Sequence, residues 1–143
     1  MASISIREFR FPEDYSPAIQ FWEKIEKGIH VGRSDALGEI GKKLQRDPDL
    51  FLIAEVDGEF IGTVIGGFDG RRGFIYHLAV VDSYRGQGIG SRLLNEVEDR
   101  LRTKGCIRCF LFVTPDNDEA MRFYEKNGWV HMDNDFPYAK DLA

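Results

Sequence analysis

The chain has 143 residues, of which 43% are hydrophobic and 30% charged, and its formal net charge is −5. This length predicts a single domain over residues 1–143 with its own core, and the composition is that of a folded globular protein. The acidic balance argues against nucleic acid as the main partner, because phosphate backbones bind cationic faces. No apolar run has signal-peptide or membrane-spanning length, so we expect a cytoplasmic protein without a membrane partner.

Hydrophobic periodicity predicts strands and helices in mixed order. In chain order these are a strand at 4–9, helices at 12–27 and 34–46 (N-cap Ser34), strands at 50–56, 59–68 and 74–81, a helix at 88–104, a strand at 107–113, a helix at 117–126 and short strands at 129–132 and 136–142. Asp57-Gly58 is the favoured two-residue hairpin turn. The order β-α-α-β-β-β-α-β-α-β-β predicts an α/β protein with a mixed sheet and helices on both faces.

The two cysteines, Cys106 and Cys109, form a lone CxxC at the start of a predicted strand. Redox CxxC motifs stand at the head of a helix, and a zinc site needs two further ligands at matching spacing. The three histidines, His30, His77 and His131, are scattered along the chain. We therefore expect packing cysteines in a reducing compartment and no metal.

The segment most informative about function is LAVVDSYRGQGIGS, residues 78–91, where an apolar strand leads through a glycine-rich turn into a helix. Gly86, Gly88 and Gly90 remove side chains where a ligand would approach the backbone. The amides of the turn and of the first helical residues lie at the positive end of the helix dipole and suit a phosphate or pyrophosphate. A turn that merely bends the chain is the alternative, although it would need fewer glycines.

Two familiar phosphate motifs fit this segment poorly. A P-loop requires Lys followed by Ser or Thr after its glycines. A dinucleotide fingerprint requires a third glycine where this chain has Ser91, and its turn follows the strand more closely. A nucleotide-binding protein stays an alternative, which a comparison of coenzyme A and NAD binding would test.

The pattern Arg85-x-x-Gly88-x-Gly90 after a strand reading LAV resembles the acetyl-coenzyme A motif of the GNAT family of N-acetyltransferases. The resemblance covers nearly the whole chain, through ISIREFRFPED (first strand and start of the first helix), VDGEFIGTVIGG (second hairpin), DNDEAMRFYEKNGWV (late helix and strand) and PYAKDL (last strand). It implies a GNAT-like fold in which a central parallel strand pair, here 74–81 and 107–113, splays apart.

The resemblance also implies a site for acetyl-coenzyme A, the acetyl donor, in the gap between those strands. The pantetheine arm would pair with the backbone of Leu78, Ala79 and Val80, much as an added strand does. The pyrophosphate would lie on the amides of Arg85, Gly86, Gln87, Gly88, Ile89, Gly90 and Ser91. Asn117 matches the family position that binds the pantetheine, and Tyr124 matches the residue that commonly protonates the leaving thiolate. Both also fall on one helix stripe, where a helix N-cap and a packing aromatic are the alternatives.

These features predict transfer of the acetyl group of acetyl-coenzyme A to a primary amine. The base that deprotonates the amine is left open, because the strand 74–81 has no carboxylate where some family members place a glutamate. His77 is a catalytic candidate because histidine is the residue type best suited to proton transfer near neutral pH, with a core histidine as the alternative. Glu55, Asp69 and a water chain are the others.

A non-catalytic acyl-coenzyme A binding module is the alternative to an enzyme. Such a module would bind the cofactor without turnover, and Tyr124 would be dispensable. The sequence leaves open whether the acceptor is a small molecule or a protein, whether the chain is a monomer or homodimer, and whether another acyl group is preferred.

Overall fold

The structure, a computed structural model, describes residues 3–143 and divides them into two compact units, one up to Phe112 and one over Val113–Ala143. The first unit holds strands β1 (Ile4–Glu8), β2 (Phe51–Val56), β3 (Glu59–Phe68), β4 (Arg72–Val80) and β5 (Arg108–Phe110), with helices α1 (Tyr15–Glu23), α2 (Leu37–Arg46) and α3 (Ile89–Thr103). The second unit holds α4 (Asp118–Lys126). None of the helices described combines the length and the hydropathy needed to cross a bilayer.

The strands form one sheet in the order β1-β2-β3-β4-β5, antiparallel except for the parallel pair β4 and β5. The predicted mixed α/β architecture is therefore confirmed. The predicted hairpin turn is also present, since Asp57 and Gly58 have φ of 50° and 78° and join β2 to β3. Positive φ at both turn residues matches the twist of the flanking strands.

Helices cover both faces of the sheet. On one face α3 buries an apolar stripe, Ile89, Leu93, Leu94, Val97 and Leu101. Its contact with β3 requires Gly66, where a Cβ would lie 2.8 Å from a methyl of Val97. On the other face, α1 and α2 cover a second cluster that includes Trp22, Phe51 and Ile65. Each such side chain contributes roughly 1.5–3 kcal/mol by leaving water, which is why the sheet is central to the fold.

The parallel pair separates soon after it begins. Its ladder joins Arg72–Phe74 to Arg108–Phe110, whereas β4 continues to Val80. Beyond Phe74, no described strand pairs with the edge of β4 that faces away from β3. The splayed pair that the resemblance implied is thus present, although β5 is shorter than the predicted strand 107–113.

The start of α2 differs from the prediction. Ser34 lies in a short 3-10 turn, Arg33–Asp35, and the residue that precedes α2 is Ala36, in an extended conformation. The physical reason is that the carboxylate of Asp35 accepts the amide of Gly32 at 2.9 Å, so this side chain caps a turn before the helix begins.

The closing strands predicted at 129–132 and 136–142 are not formed in the residues described. Their apolar side chains alternate as in a strand, but Val130, Phe136 and Leu142 are 83%, 79% and 93% exposed. Alternation indicates a chain that suits a sheet, whereas a strand also needs ladder hydrogen bonds to a partner. In the second unit α4 is the regular element, and it offers no such partner.

Candidate active site

The glycine-rich loop connects β4 to α3 through a 3-10 turn, Asp82–Tyr84. Gly86 and Gly88 both have φ of 79°, in the left-handed region that favours glycine. Gly88 is also the N-cap of α3. Both positive-φ glycines fall inside the segment that the sequence analysis selected as a phosphate site.

The amides of residues 86–91 make no hydrogen bond to the described part of the chain. Some belong to the first turn of α3, whose N–H groups have no partner within the helix and lie at the positive end of its dipole. A Cβ built at Gly86 or Gly88 would meet nothing within 4 Å, so the space in front of the loop is open. Free donors, open space and positive potential together fit the phosphates of a nucleotide cofactor.

Arg85 fixes this loop to the end of β4. Its Nε donates to the carbonyl oxygen of Val80 at 3.2 Å, and its Nη1 lies 2.8 Å from Oδ1 of Asp82. The guanidinium therefore connects the two parts of the predicted cofactor site, the strand end and the glycine-rich loop.

A bulge interrupts β4 where it lies beside the gap. Thr63 pairs with Ala79 and Ile65 pairs with Tyr76, so His77 and Leu78 together oppose the single residue Val64. His77 has φ of 50°, an uncommon conformation for a residue other than glycine. Bulges of this kind redirect a side chain or end a pairing. Here the bulge includes Leu78, the first of the three residues whose backbone the resemblance assigns to pantetheine.

The imidazole of His77 contacts an aspartate and a tryptophan. Its Nε2 lies 2.9 Å from Oδ1 of Asp35, and its ring centroid lies 4.5 Å from that of Trp22. The His77 and Asp35 side chains are 16% and 10% exposed. Burial opposes ionisation of Asp35, but hydrogen bonds from His77 and the Gly32 amide outweigh it, and the pKa of the carboxyl lies below its usual value. Asp35 is therefore a carboxylate at neutral pH.

The other two predicted base candidates have partners of their own. Glu55 accepts from Arg7 at 2.9 Å, and Arg7 also binds Asp14 at 2.7 Å. Asp69 is a turn residue, whose Oδ1 accepts the amides of Arg71 and Arg72 at 2.9 and 2.8 Å. The hydrogen bond from the Arg72 amide, followed by that from Arg71, lowers the pKa of this carboxyl. Both carboxylates are thus engaged by these partners, and neither forms a hydrogen bond or ion pair with His77.

Two residues near the gap were not selected from the sequence. Asp35 could not be recognised from the sequence, because its partner His77 is 42 positions away and no local pattern predicts that pairing. Tyr76 looked like one more apolar strand residue, yet its side chain is 49% exposed and stacks on Phe74 at 4.7 Å. Partial burial raises the pKa of Tyr76, so its hydroxyl is protonated at neutral pH.

In the second unit, Asn117 is the N-cap of α4. Its Oδ1 accepts the amide of Ala120 at 3.1 Å, so the predicted alternative role is confirmed for this oxygen. The side-chain amide nitrogen makes no hydrogen bond to the described chain. Tyr124 packs edge-on against Trp129, with ring centroids 5.9 Å apart, and burial raises its pKa to about 12. Its hydroxyl therefore carries a proton at neutral pH.

Cys106 and Cys109 are free thiols on either side of the start of β5. Burial, followed by the neighbouring Cys106, raises the pKa of Cys109 to about 11, which disfavours the reactive thiolate. Among residues 3–143, no group of three or more His, Cys, Asp or Glu side chains is arranged to hold a metal ion.

Comparison with known proteins shows to which family the chain is similar. The profile of the Acetyltransferase (GNAT) family matches residues 7–129. The solved structure of Ard1 from Thermoplasma volcanium is 27% identical, with a TM-score of 0.76 over 89% of this chain and 82% of that one. The PaiA N-acetyltransferase of Thermoplasma acidophilum, solved in complex with coenzyme A, is 26% identical, with a TM-score of 0.80 over 93% of each chain.

A third relative shares the fold alone. Naa50 of Arabidopsis thaliana, solved with the bisubstrate analogue CoA-Ac-MVNAL, is 23% identical, with a TM-score of 0.69 over 88% of this chain and 82% of that one. The family model spans most of the chain, and it includes the glycine-rich loop, the bulged strand and α4. The resemblance noted in the sequence is therefore confirmed: the chain belongs to the GNAT family of acetyltransferases.

Proposed function

We propose that the protein transfers the acetyl group of acetyl-coenzyme A to a primary amine of a small molecule or a protein. The observation that carries the proposal is the row of unbonded amides over residues 86–91, which follow a strand whose outer edge is unpaired beyond Phe74 and the 3-10 turn after it. The amides suit the pyrophosphate, and the free backbone of Leu78–Val80 suits the pantetheine amides. Acetyl-coenzyme A then supplies an activated acetyl group, and no metal is required.

The remaining chemistry falls to side chains and backbone of this chain. An ammonium must lose a proton before it can attack, and we assign its removal to His77 beside the gap. A backbone N–H of the bulged strand would stabilise the negative charge that develops on the carbonyl oxygen. Tyr124, which is protonated at neutral pH, would donate the proton that the departing sulfur needs. Asn117 would contact the pantetheine through its side-chain amide.

Supporting this assignment, the PaiA relative is an N-acetyltransferase that was solved with coenzyme A, and it covers nearly the whole chain. The acceptor is the undetermined part. The bisubstrate analogue bound by Naa50 carries a peptide, so peptide N-termini belong in any acceptor panel beside small amines.

The experiment has two stages. Calorimetry first measures binding of coenzyme A, with NAD as the comparison for a dinucleotide site. A turnover assay then follows release of the free thiol from acetyl-coenzyme A with peptide N-termini, a lysine peptide, a polyamine, amino acids and an aminoglycoside. We expect coenzyme A to bind and at least one amine to be acetylated.

The outcomes separate the alternatives. Binding of coenzyme A without turnover on any amine class would indicate a non-catalytic acyl-coenzyme A binding module. No binding at millimolar coenzyme A would contradict the cofactor site itself.

A further inference from the structure

Besides its contact with His77, Asp35 is held at two points, one on its side chain and one on its main chain. Its Oδ2 accepts the amide of Gly32 at 2.9 Å, and the main-chain carbonyl of Asp35 accepts the hydroxyl of Tyr15 at 2.8 Å. The 3-10 turn Arg33–Asp35 thus presents Oδ1 to the imidazole at 2.9 Å. The two side chains therefore meet in a fixed geometry although one lies on a turn and the other on β4.

The histidine is fixed independently. Thr63 donates to its carbonyl oxygen at 2.7 Å, and Trp22 packs against its ring. The positive φ of His77 is a conformation that costs energy at a residue other than glycine, and such conformations concentrate at functional sites.

The remaining ring nitrogen is accessible. Nδ1 makes no hydrogen bond to the part of the chain that the structure describes. In that same part, no fully buried side-chain nitrogen or oxygen lacks a partner, so Nδ1 is at least partly open to solvent. A carboxylate only accepts hydrogen bonds, so Nε2 carries the proton toward Asp35, and Nδ1 of the neutral ring bears a lone pair.

We propose that Asp35 is a positioning residue for His77, which holds the Nε2–H tautomer and thereby makes Nδ1 the base that deprotonates the acceptor amine. This inference rests on the proposed amine acetylation. One N–H bond of the acceptor ammonium breaks and an Nδ1–H bond forms, leaving a neutral amine with its electron pair free to attack. The carboxylate stabilises the resulting imidazolium, which then returns its proton to solvent through the exposed edge of the ring.

The surroundings of the imidazole include one carboxylate in direct contact with the ring. The charged contact is Asp35, on the 3-10 turn. Trp22 from α1 and Thr63 from β3 are neutral, while Tyr15 acts through Asp35 and Tyr76 precedes His77 in β4.

The Asp35→Asn variant offers a sharp test because its side chain can fit in one orientation only. The amide of Gly32 needs an oxygen acceptor, so the new NH₂ group must face Nε2 of His77. The imidazole then has to accept at Nε2 and carry its proton on Nδ1, which removes the base. Asp47→Asn is the matched control, since Asp47 is a buried carboxylate that binds Lys43 instead.

Ring-nitrogen NMR of ¹⁵N-labelled protein reads the tautomer without any substrate. We expect protonated Nε2 and unprotonated Nδ1 at His77 in the unaltered protein and in Asp47→Asn, and the opposite in Asp35→Asn. His77→Gln assigns the signals against those of His30 and His131. In turnover, we expect Asp35→Asn to lower kcat/KM by about a hundredfold, with the acid limb of its pH profile moved to lower pH.

A second variant keeps the proposal testable if Asp35→Asn does not fold. His77→Gln can still donate to Asp35, and we expect it to abolish the acid limb while the melting temperature changes little. An unchanged tautomer, or an unshifted acid limb in Asp35→Asn, would overturn the positioning role. Absence of turnover by the unaltered protein would overturn the proposed function and the proton transfer with it, and the ring-nitrogen signals would still decide whether Asp35 sets the tautomer.

Discussion

The hydroxyl of Thr63 donates a hydrogen bond of 2.7 Å to the carbonyl oxygen of His77, at the bulge of β4. The same hydroxyl accepts the indole N–H of Trp22 at 3.0 Å, and Thr63 is fully buried. A single hydroxyl, which can donate once and accept twice, thus joins helix α1 to the bulge. The position of the histidine beside the unpaired edge of β4 therefore depends on a residue one strand away.

Replacing Thr63 by valine should destabilise the protein although the side-chain shape is kept. The change leaves a buried indole N–H and the His77 carbonyl without their partner, and we expect the free energy of unfolding to fall by about 1–3 kcal/mol. Urea unfolding measures the difference. Thr103→Val is the control, because the Thr103 hydroxyl bonds the Asp99 carbonyl on an exposed surface and its loss should cost less than about 0.5 kcal/mol. Equal stabilities of the two variants would contradict the role of Thr63.

Asp14 should make stability depend on acid pH. Burial opposes its ionisation, but hydrogen bonds from Arg7 and the Arg10 amide prevail and lower its pKa. Because the folded-state pKa lies below the unfolded value, this stabilisation is present above the unfolded pKa of about 3.9 and is lost as pH falls through the folded pKa. We expect Asp14→Asn to melt below the unaltered protein at pH 7, and the gap in melting temperature to narrow as pH falls below the unfolded pKa.

The control for this prediction is Asp99→Asn. The Asp99 carboxylate pairs with Arg102 on the exposed side of α3, where an ion pair contributes little. A melting-temperature gap for Asp14→Asn that stays constant between pH 7 and pH 3 would show that the loss is not electrostatic.

Local patterns were sufficient for much of the fold. The hairpin could be predicted from Asp57-Gly58, because the turn requires positive φ at two adjacent residues and this dipeptide favours that conformation. The apolar stripe of α3 could also be predicted from the sequence, since its buried residues recur at helical spacing. The closing strands could not be predicted correctly, because an alternating pattern shows that a segment suits a sheet but does not identify its partner strand.

The site divides in the same way. The glycine-rich loop could be predicted from the sequence because its amides and its positive-φ residues lie within one short segment. The Asp35–His77 pair could not be predicted, since hydrophobic periodicity indicates which side chains are buried but not which buried polar groups contact each other. The bulge that turns His77 arises from the register of β3 against β4, which no single segment contains.

Gly88 tests the phosphate site directly. A valine there would place a side chain before the free amides, and the φ of 79° would add strain of roughly 1–2 kcal/mol. We expect coenzyme A affinity, measured by calorimetry, to fall more than about tenfold while circular dichroism stays that of the folded protein. Gly105→Val is matched, since Gly105 has φ of 96° with open space beside it, at the other end of α3. Similar affinities of the two variants would place the phosphates elsewhere.

Asn117 requires variants that separate capping from cofactor contact. Serine can cap α4 as asparagine does, whereas alanine cannot, and we expect Asn117→Ala to lose about 1 kcal/mol of stability that Asn117→Ser retains. If the side-chain amide also contacts pantetheine, both variants should lower coenzyme A affinity in calorimetry. Full affinity in the serine variant would leave Asn117 as a helix cap alone.

Tyr124→Phe should lower turnover without weakening cofactor binding. The ring still packs against Trp129, so the local structure persists, and the loss is confined to a hydroxyl that burial keeps protonated at a pKa of about 12. A proton donated as the carbon–sulfur bond breaks acts in the transition state, so kcat and kcat/KM should fall together. A general acid typically contributes ~10²–10⁴ in rate, but a thiolate is a tolerable leaving group, so we expect a fall of at least about tenfold, or ~1.4 kcal/mol.

The measurement is steady-state turnover with the best acceptor, beside calorimetry with coenzyme A. Tyr138→Phe is the control, since Tyr138 is 96% exposed in the same unit. Because the tyrosine hydroxyl does not titrate below about pH 11 at that pKa, the basic limb of the pH profile should be the same in both variants. Full activity in Tyr124→Phe would mean that water supplies the proton and that the tyrosine is a packing residue.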